Sequence, residues 1–101
     1  MKSEREAVRR QFGRMFDDAT EILFRHDPIG INFVRNTDEY EPEVSTILPR
    51  MESAASEQDA LRIIHEEFVR WFNARTAGPQ ERYASAAAEL WTAWRRFRAG
   101  E

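Results

Sequence analysis

Apolar residues recur at steps of three and four through most of this chain, and this spacing constrains the fold more than any other feature. Such a repeat places side chains on one face of an α-helix. The first run comprises Val8, Phe12, Met15, Phe16, Ala19, Ile22 and Leu23. Ser3 and Glu6 precede it at the spacing of a capping box, and Pro28 follows it. The sequence therefore predicts a first helix from Ser3 to about Arg25.

Three further segments show the same period. A short second helix carries Pro42 in its first turn, where proline is tolerated, and either kinks or ends at Pro49. The third helix begins near Ser56, and Gly78-Pro79 separates it from the fourth. The apolar faces are Val44, Ile47, Leu48 and Met51 in the second helix; Ala60, Leu61, Ile64, Phe68, Trp71 and Phe72 in the third, with Ile63 off the face; and Tyr83, Ala86, Ala87, Leu90, Trp91, Trp94 and Phe97 in the fourth.

Residues 26–37 have no helical period, yet they carry four large apolar side chains, namely Ile29, Ile31, Phe33 and Val34. These would form an apolar patch if exposed, so the segment is predicted to lie ordered across the helices. The expected fold is all-α, a compact antiparallel bundle of three long helices and one short helix, with an ordered apolar loop at about 26–37. A chain of 101 residues has room for one hydrophobic core, so residues 1–101 are predicted to form a single helical domain.

Several classes of protein are excluded by what the sequence lacks. Without cysteine, the chain has no disulfide, cysteine nucleophile or thiolate metal site. It contains no Gly-x-Ser-x-Gly elbow and no glycine-rich phosphate loop. The first residues have no apolar signal-peptide core, and the apolar runs are too short to span a bilayer. A cytoplasmic protein without a membrane partner is therefore expected.

Acidic residues concentrate in the middle of the chain. Residues 38–67 hold nine acidic and two basic residues, a net charge of −7, against +1 for residues 1–37 and +3 for residues 68–101. An exposed acidic block favours a basic protein or a metal ion and repels nucleic acid. It is equally typical of a solvated helix surface, and that alternative stays open. Arg95, Arg96 and Arg98 are interpreted as complements of a helix dipole, so no nucleic-acid partner is expected.

Histidines and carboxylates are the remaining candidates for chemistry. His65 lies at the edge of an apolar face and is interpreted as a packed, hydrogen-bonded residue, whereas His26 closes the first helix. Neither histidine, nor the acidic run 38–43, has the ligand spacing of a zinc or calcium site. We therefore predict no catalytic residue, no metal ligand, no cofactor and no enzymatic activity. The alternative is a metal-dependent enzyme or metal-binding protein that uses His26, Asp27 and nearby carboxylates.

The segment from His26 to Val44 contains the most distinctive motif of the chain. The string Asp-Pro-Ile-Gly at 27–30 is followed, after a spacer, by Asp-Glu-Tyr at 38–40. This motif resembles that of a family of small bacterial helical proteins of unknown function, and the resemblance implies a helical fold without implying an activity. Physically, the motif places a turn at one end of the loop and an acidic helix start at the other. Tyr40 is positioned to hydrogen-bond Asp27 or His26 across it.

Two interpretations of this motif follow. It is either a hydrogen-bond lock that holds the loop over the helices, or an acidic and aromatic surface that binds a basic protein. The function predicted from the sequence is a non-enzymatic protein-binding module, of the immunity type, that engages a basic partner. Its predicted partner-binding residues are Asp27, Asp38, Glu39, Tyr40 and Glu43. A further alternative is a structural homodimer formed through the Trp91, Trp94 and Phe97 stripe with Phe24 and Ile63.

Overall fold

Six α-helices and one 3₁₀ turn build the part of the chain that the structure describes. The structure, a computed structural model, describes residues 2–30 and 40–100. The helices are α1 (Lys2–Phe12), α2 (Arg14–His26), α3 (Glu41–Met51), α4 (Glu57–Trp71), α5 (Ala74–Ala77) and α6 (Ala84–Arg98), with the 3₁₀ turn at Gln80–Tyr83. The all-α class is confirmed. Of the loop predicted at about 26–37, residues 31–37 lie outside the described residues.

The first predicted helix is two helices, because Gly13 interrupts it. Gly13 has a φ of +57°, a left-handed conformation that glycine adopts without the steric cost of a Cβ atom. Its N–H still donates to the carbonyl oxygen of Arg9 at 2.7 Å. Phe12 and Phe16, on either side of the break, are both buried. The apolar face was therefore predicted correctly, whereas the single straight helix was not.

Proline acts differently at its two positions in α3. Pro42 lies in the first turn, as predicted, where its missing N–H breaks no helical hydrogen bond. Pro49 is exposed and lies inside the helix, which continues to Met51. The sequence left open whether the helix kinks or ends at Pro49, and the structure shows that it does not end there.

α4 begins as predicted but ends early. The Ser56 hydroxyl accepts a hydrogen bond from the Asp59 N–H at 3.1 Å, and the Asp59 carboxylate accepts one from the Ala55 N–H at 2.8 Å. The helix ends at Trp71, since Asn73 instead caps the short α5 through the N–H of Thr76. The continuous third helix predicted up to Gly78 is therefore divided at Phe72 and Asn73.

The buried face of α4 is also rotated from the predicted one. Ile63, placed off the face by its periodicity, is fully buried, whereas Trp71, placed on it, is exposed. Both α3 and α6 pack against α4. A helix between two neighbours buries a wider arc than a single stripe, and this geometry includes Ile63.

The helices share one apolar core. α6 packs on both α2 and α4, and α3 packs on α1 and α4. The Phe68 ring lies centrally, with its centroid 5.9 Å from those of Tyr40 and Phe72 and 5.0 Å from that of Tyr83. This arrangement brings the start of α3 against the middle of α4. None of the described helices has the length and apolar character needed to cross a membrane.

Candidate functional site

The motif begins with a turn at the C-terminus of α2. Asp27 has a φ of +47° and donates its N–H to the carbonyl oxygen of Leu23 at 2.7 Å. Gly30, with a φ of +70°, donates its N–H to the Asp27 carbonyl oxygen at 3.1 Å. Asp is among the side chains that tolerate positive φ best. The turn predicted at Asp27–Gly30 is confirmed, and it fixes the position of the Asp27 carboxylate.

The two ends of the motif are joined by one hydrogen bond. The Tyr40 hydroxyl donates to Oδ1 of Asp27, with 2.6 Å between the two oxygens. Tyr40 directly precedes α3 and is fully buried against Phe68. Of the two partners left open for Tyr40, Asp27 and His26, the structure shows the bond to Asp27, and we call this pair the Asp27–Tyr40 lock. Because its ring is buried, Tyr40 adds no aromatic area to the exposed surface.

Replacing Tyr40 with Phe is expected to lower the free energy of unfolding by about 2 kcal/mol, because a hydrogen bond to a carboxylate is lost. Asp27→Asn preserves the tolerance of positive φ but removes the charge, so a smaller loss is expected. Urea denaturation of both single variants and of the double variant measures their coupling, which we expect to be about 1 kcal/mol. Strictly additive losses would show that the lock does not stabilise the fold.

Glu43 lies on the inner side of α3, with 4% of its surface exposed. Burial raises the pKa of its carboxyl to about 7, although its own backbone N–H and the Arg5 cation lower it. Within the described residues, neither Oε1 of Glu43 nor Nε of Arg5 has a hydrogen-bond partner. Glu43 is therefore a buried group rather than part of an exposed surface. Asp38 and Glu39, the remaining predicted partner-binding residues, lie outside the described residues.

Most of the acidic block is paired with arginines of the same chain. The pairs are Glu41 with Arg5 and Arg9, Glu52 with Arg98, Asp59 with Arg62, Glu66 with Arg50 and Arg62, and Glu67 with Arg50 and Arg70. The Arg50 guanidinium, 2.7 Å from Glu66, holds the pKa of that carboxyl below its usual value. Among the described carboxylates of the block, only Glu57 is exposed without such a partner. The −7 charge is thus largely balanced where the structure describes it.

Both histidines lie within hydrogen-bond distance of another group of the chain. Nε2 of His26 lies 2.9 Å from Oε1 of Glu89, which also binds Arg25, and these contacts lower the pKa of Glu89. His65 donates from Nε2 to the Gly78 carbonyl oxygen at 2.9 Å and packs on the Tyr83 ring, as predicted. Residues 2–30 and 40–100 contain no group of three histidine or carboxylate side chains that could hold a metal ion. The alternative metal site at His26 and Asp27 therefore lacks a ligand cluster there.

The stripe proposed for a homodimer packs within the single chain. Trp94 is buried, and its ring centroid lies 5.9 Å from that of Phe12 and 5.4 Å from that of Phe97. Trp91 is partly buried against the same core, and Ile63 is fully buried. These side chains pack mainly on the chain's own core, where Trp94 and Phe97 contact Phe12 of α1.

A different aromatic residue is left at the surface. Trp71 is 41% exposed and is the one large apolar side chain that the described part of the chain leaves exposed. Its indole N–H donates to the Thr46 hydroxyl at 2.9 Å, and that hydroxyl donates to the Glu43 carbonyl oxygen at 3.1 Å. The indole is therefore anchored to α3. Together with Thr46, Glu67 and Arg70 it lines a cleft of about 230 Å³, which we call the Trp71 cleft.

Charge at the Trp71 cleft is organised around Glu67, whose side chain is 1% exposed. Oε2 of Glu67 accepts from Arg50 at 2.9 Å and from Arg70 at 3.1 Å. Arg70 is 73% exposed, so its guanidinium faces solvent while Glu67 holds it in place. The sequence analysis missed this site because it assigned Trp71 to the core. The early end of α4, indicated by the capping residue Asn73, was the available signal.

Comparison with family models, curated proteins and solved structures finds no match to this chain. The resemblance carried by residues 27–30 and 38–40 therefore stays a prediction. The function has to be argued from the chain's own geometry.

Proposed function

We propose that this chain is a small protein-binding module without enzymatic activity, and that its partner docks on the Trp71 cleft. The observation that carries this proposal is an indole exposed at the surface yet fixed by a hydrogen bond to Thr46. Tryptophan and arginine are the residue types most enriched among the dominant contacts of protein interfaces. An aromatic ring that is already held in position loses little conformational entropy on binding.

Arg70 defines the kind of partner that fits. It shares the buried Glu67 carboxylate with Arg50, and Arg50 also pairs with Glu66, so Glu67 is the one carboxylate that a described ion pair joins to Arg70. Because Arg70 is 73% exposed, its remaining N–H groups can donate to a second carboxylate from outside. The partner segment supplies an apolar side chain to cover the indole and an acidic side chain to meet Arg70. Both contacts leave Glu67 in its place.

The test compares capture of proteins from the native host by wild type, Trp71→Ala, Arg70→Glu and a matched control, Arg75→Glu. Arg75 is an exposed arginine on α5 without a described ion pair. A protein that wild type and the control retain is then purified, and its Kd for each variant is measured by calorimetry. Trp71→Ala and Arg70→Glu are expected to weaken binding at least roughly tenfold, because they remove the aromatic anchor and reverse the charge.

Trp71→Ala is expected to stay folded, since Trp71 is an exposed position. Arg70→Glu removes one of the two arginines bound to Glu67, so urea denaturation checks that it is still folded before its Kd is compared. Equal Kd values for all variants would contradict the proposal, as would failure of wild type to capture any protein that can be confirmed with purified components. The basic partner predicted from the sequence rests on Asp38 and Glu39 and stays a separate prediction. Reversing both to Lys in the same experiment tests that prediction separately.

A further inference from the structure

A second surface lies between α2 and α6. Three adjoining clefts of about 250, 290 and 310 Å³ share Arg96 in their walls. Apolar side chains also line these clefts: Ala93 and Phe97 are partly buried, and Ile22 is 4% exposed. We call these three adjoining clefts together the arginine groove. It is built from helices that contribute nothing to the Trp71 cleft.

The arginine groove carries unpaired positive charge at one end. Arg14, Arg95 and Arg96 line it, and none of them forms an ion pair with another described residue, whereas seven of the thirteen described arginines do. One carboxylate, Asp18, lies among them. The C-terminal end of α6 favours nearby cations, but that effect does not require them to border an apolar depression.

The opposite end of the groove is electrically balanced. There Arg25 pairs with Glu89 and, at 3.2 Å, with Glu21. Positive charge therefore falls off along the groove while the apolar lining continues. A ligand that matches this pattern has an apolar face along its length and carboxylates concentrated toward Arg14, Arg95 and Arg96.

We propose that the arginine groove binds an acidic amphipathic helix of a partner protein. A protein segment is favoured over nucleic acid because the chain carries a net charge of −3 and the groove has an apolar lining. This surface is independent of the Trp71 cleft, so one module can hold two sites of one partner, or two partners. A negative result for binding at one of the two sites does not contradict the proposal for the other.

The experiment titrates ¹⁵N-labelled protein with a helical peptide of about 18 residues that has Leu on one face and Glu on the other. The matched control peptide replaces Glu with Gln, and a single-stranded oligonucleotide serves as the competing polyanion. Amide shifts at Thr92, Ala93 and Arg96 are expected with the Leu/Glu peptide. Arg95→Glu combined with Arg96→Glu is expected to raise Kd about tenfold or more, whereas Arg70→Glu and Arg75→Glu should leave it unchanged.

Raising the salt concentration from roughly 50 to roughly 300 mM shortens the Debye length and should weaken binding of the Leu/Glu peptide. Several outcomes would overturn the proposal. These are equal affinity for the Gln peptide, shifts confined to residues outside the groove, loss of binding in Arg70→Glu alone, or tighter binding of the oligonucleotide. Absence of any shift with the Leu/Glu peptide would overturn it as well.

Discussion

Replacing Glu43 with Gln is expected to stabilise the protein at pH 8 by about 2 kcal/mol. In the folded chain the Glu43 carboxyl has a pKa raised from 4.5 to about 7, chiefly because the group is buried. A difference of this size corresponds to roughly 3 kcal/mol between the protonated and charged forms. Gln has the same shape and no charge, so most of this cost disappears. Part of the gain is lost because the Gln amide needs hydrogen-bond partners of its own.

The pH dependence has a definite sign. Between pH 4.5 and about 7, the folded state binds more protons at Glu43 than the unfolded state does. The stabilising effect of this proton is present below pH 4.5 and is lost as the pH rises through about 7. Arg5 on α1 is the cation that acts on Glu43, and it lowers the pKa of Glu43 by less than burial raises it. Wild type should therefore lose stability over this window, and Glu43→Gln should lose much less.

Urea denaturation from pH 4 to pH 8 measures both effects. Glu81→Gln is the matched control, because Glu81 is an exposed carboxylate in the 3₁₀ turn and should change neither quantity. A Glu43→Gln variant that is no more stable than wild type at pH 8 would contradict the expected role of burial. The expected role of burial would also be contradicted if the stability of Glu43→Gln changed with pH as steeply as that of wild type.

Replacing Phe68 with Ala is expected to lower the free energy of unfolding by about 4 kcal/mol. Phe68 is fully buried and lies at the centre of the aromatic cluster, within 5.9 Å of the Tyr40, Phe72 and Tyr83 ring centroids. Removing its ring costs the transfer energy of the buried atoms and leaves a cavity that the neighbouring helices cannot close. A small domain has about 5–15 kcal/mol of stability in total.

The measurement is thermal and urea unfolding of Phe68→Ala beside Phe72→Ala. Phe72 is only partly buried, so its removal should cost clearly less. For a domain of this size, about 4 kcal/mol corresponds to a fall in Tm of roughly 20 °C. Equal losses for the two variants would show that the core is not centred on Phe68. Phe68→Leu, which keeps most of the volume, should recover about half of the lost stability.

Local chemistry predicted a hydrogen bond from Tyr40 to Asp27 or His26, and the structure shows the bond to Asp27. Asp, Pro and Gly in sequence define a turn, and a phenol beside a carboxylate forms a hydrogen bond when the chain brings them together. The same reasoning placed Glu43 on a surface, because an acidic residue near a helix N-terminus is usually solvated. Its burial depends on the packing of α1 against α3, which the residues around Glu43 do not reveal.

The sequence by itself determined that this chain is helical, where the turn at Asp27–Gly30 lies, and where α4 begins. Those features depend on residues a few positions apart, through helical periodicity, capping hydrogen bonds and proline. Only the tertiary structure decided which charges are free and which aromatic residue is exposed. Glu67 is paired with arginines from two helices, and Trp71 is left outside the core because α4 ends there. Such outcomes depend on contacts between distant segments, and spacing along one helix carries no record of them.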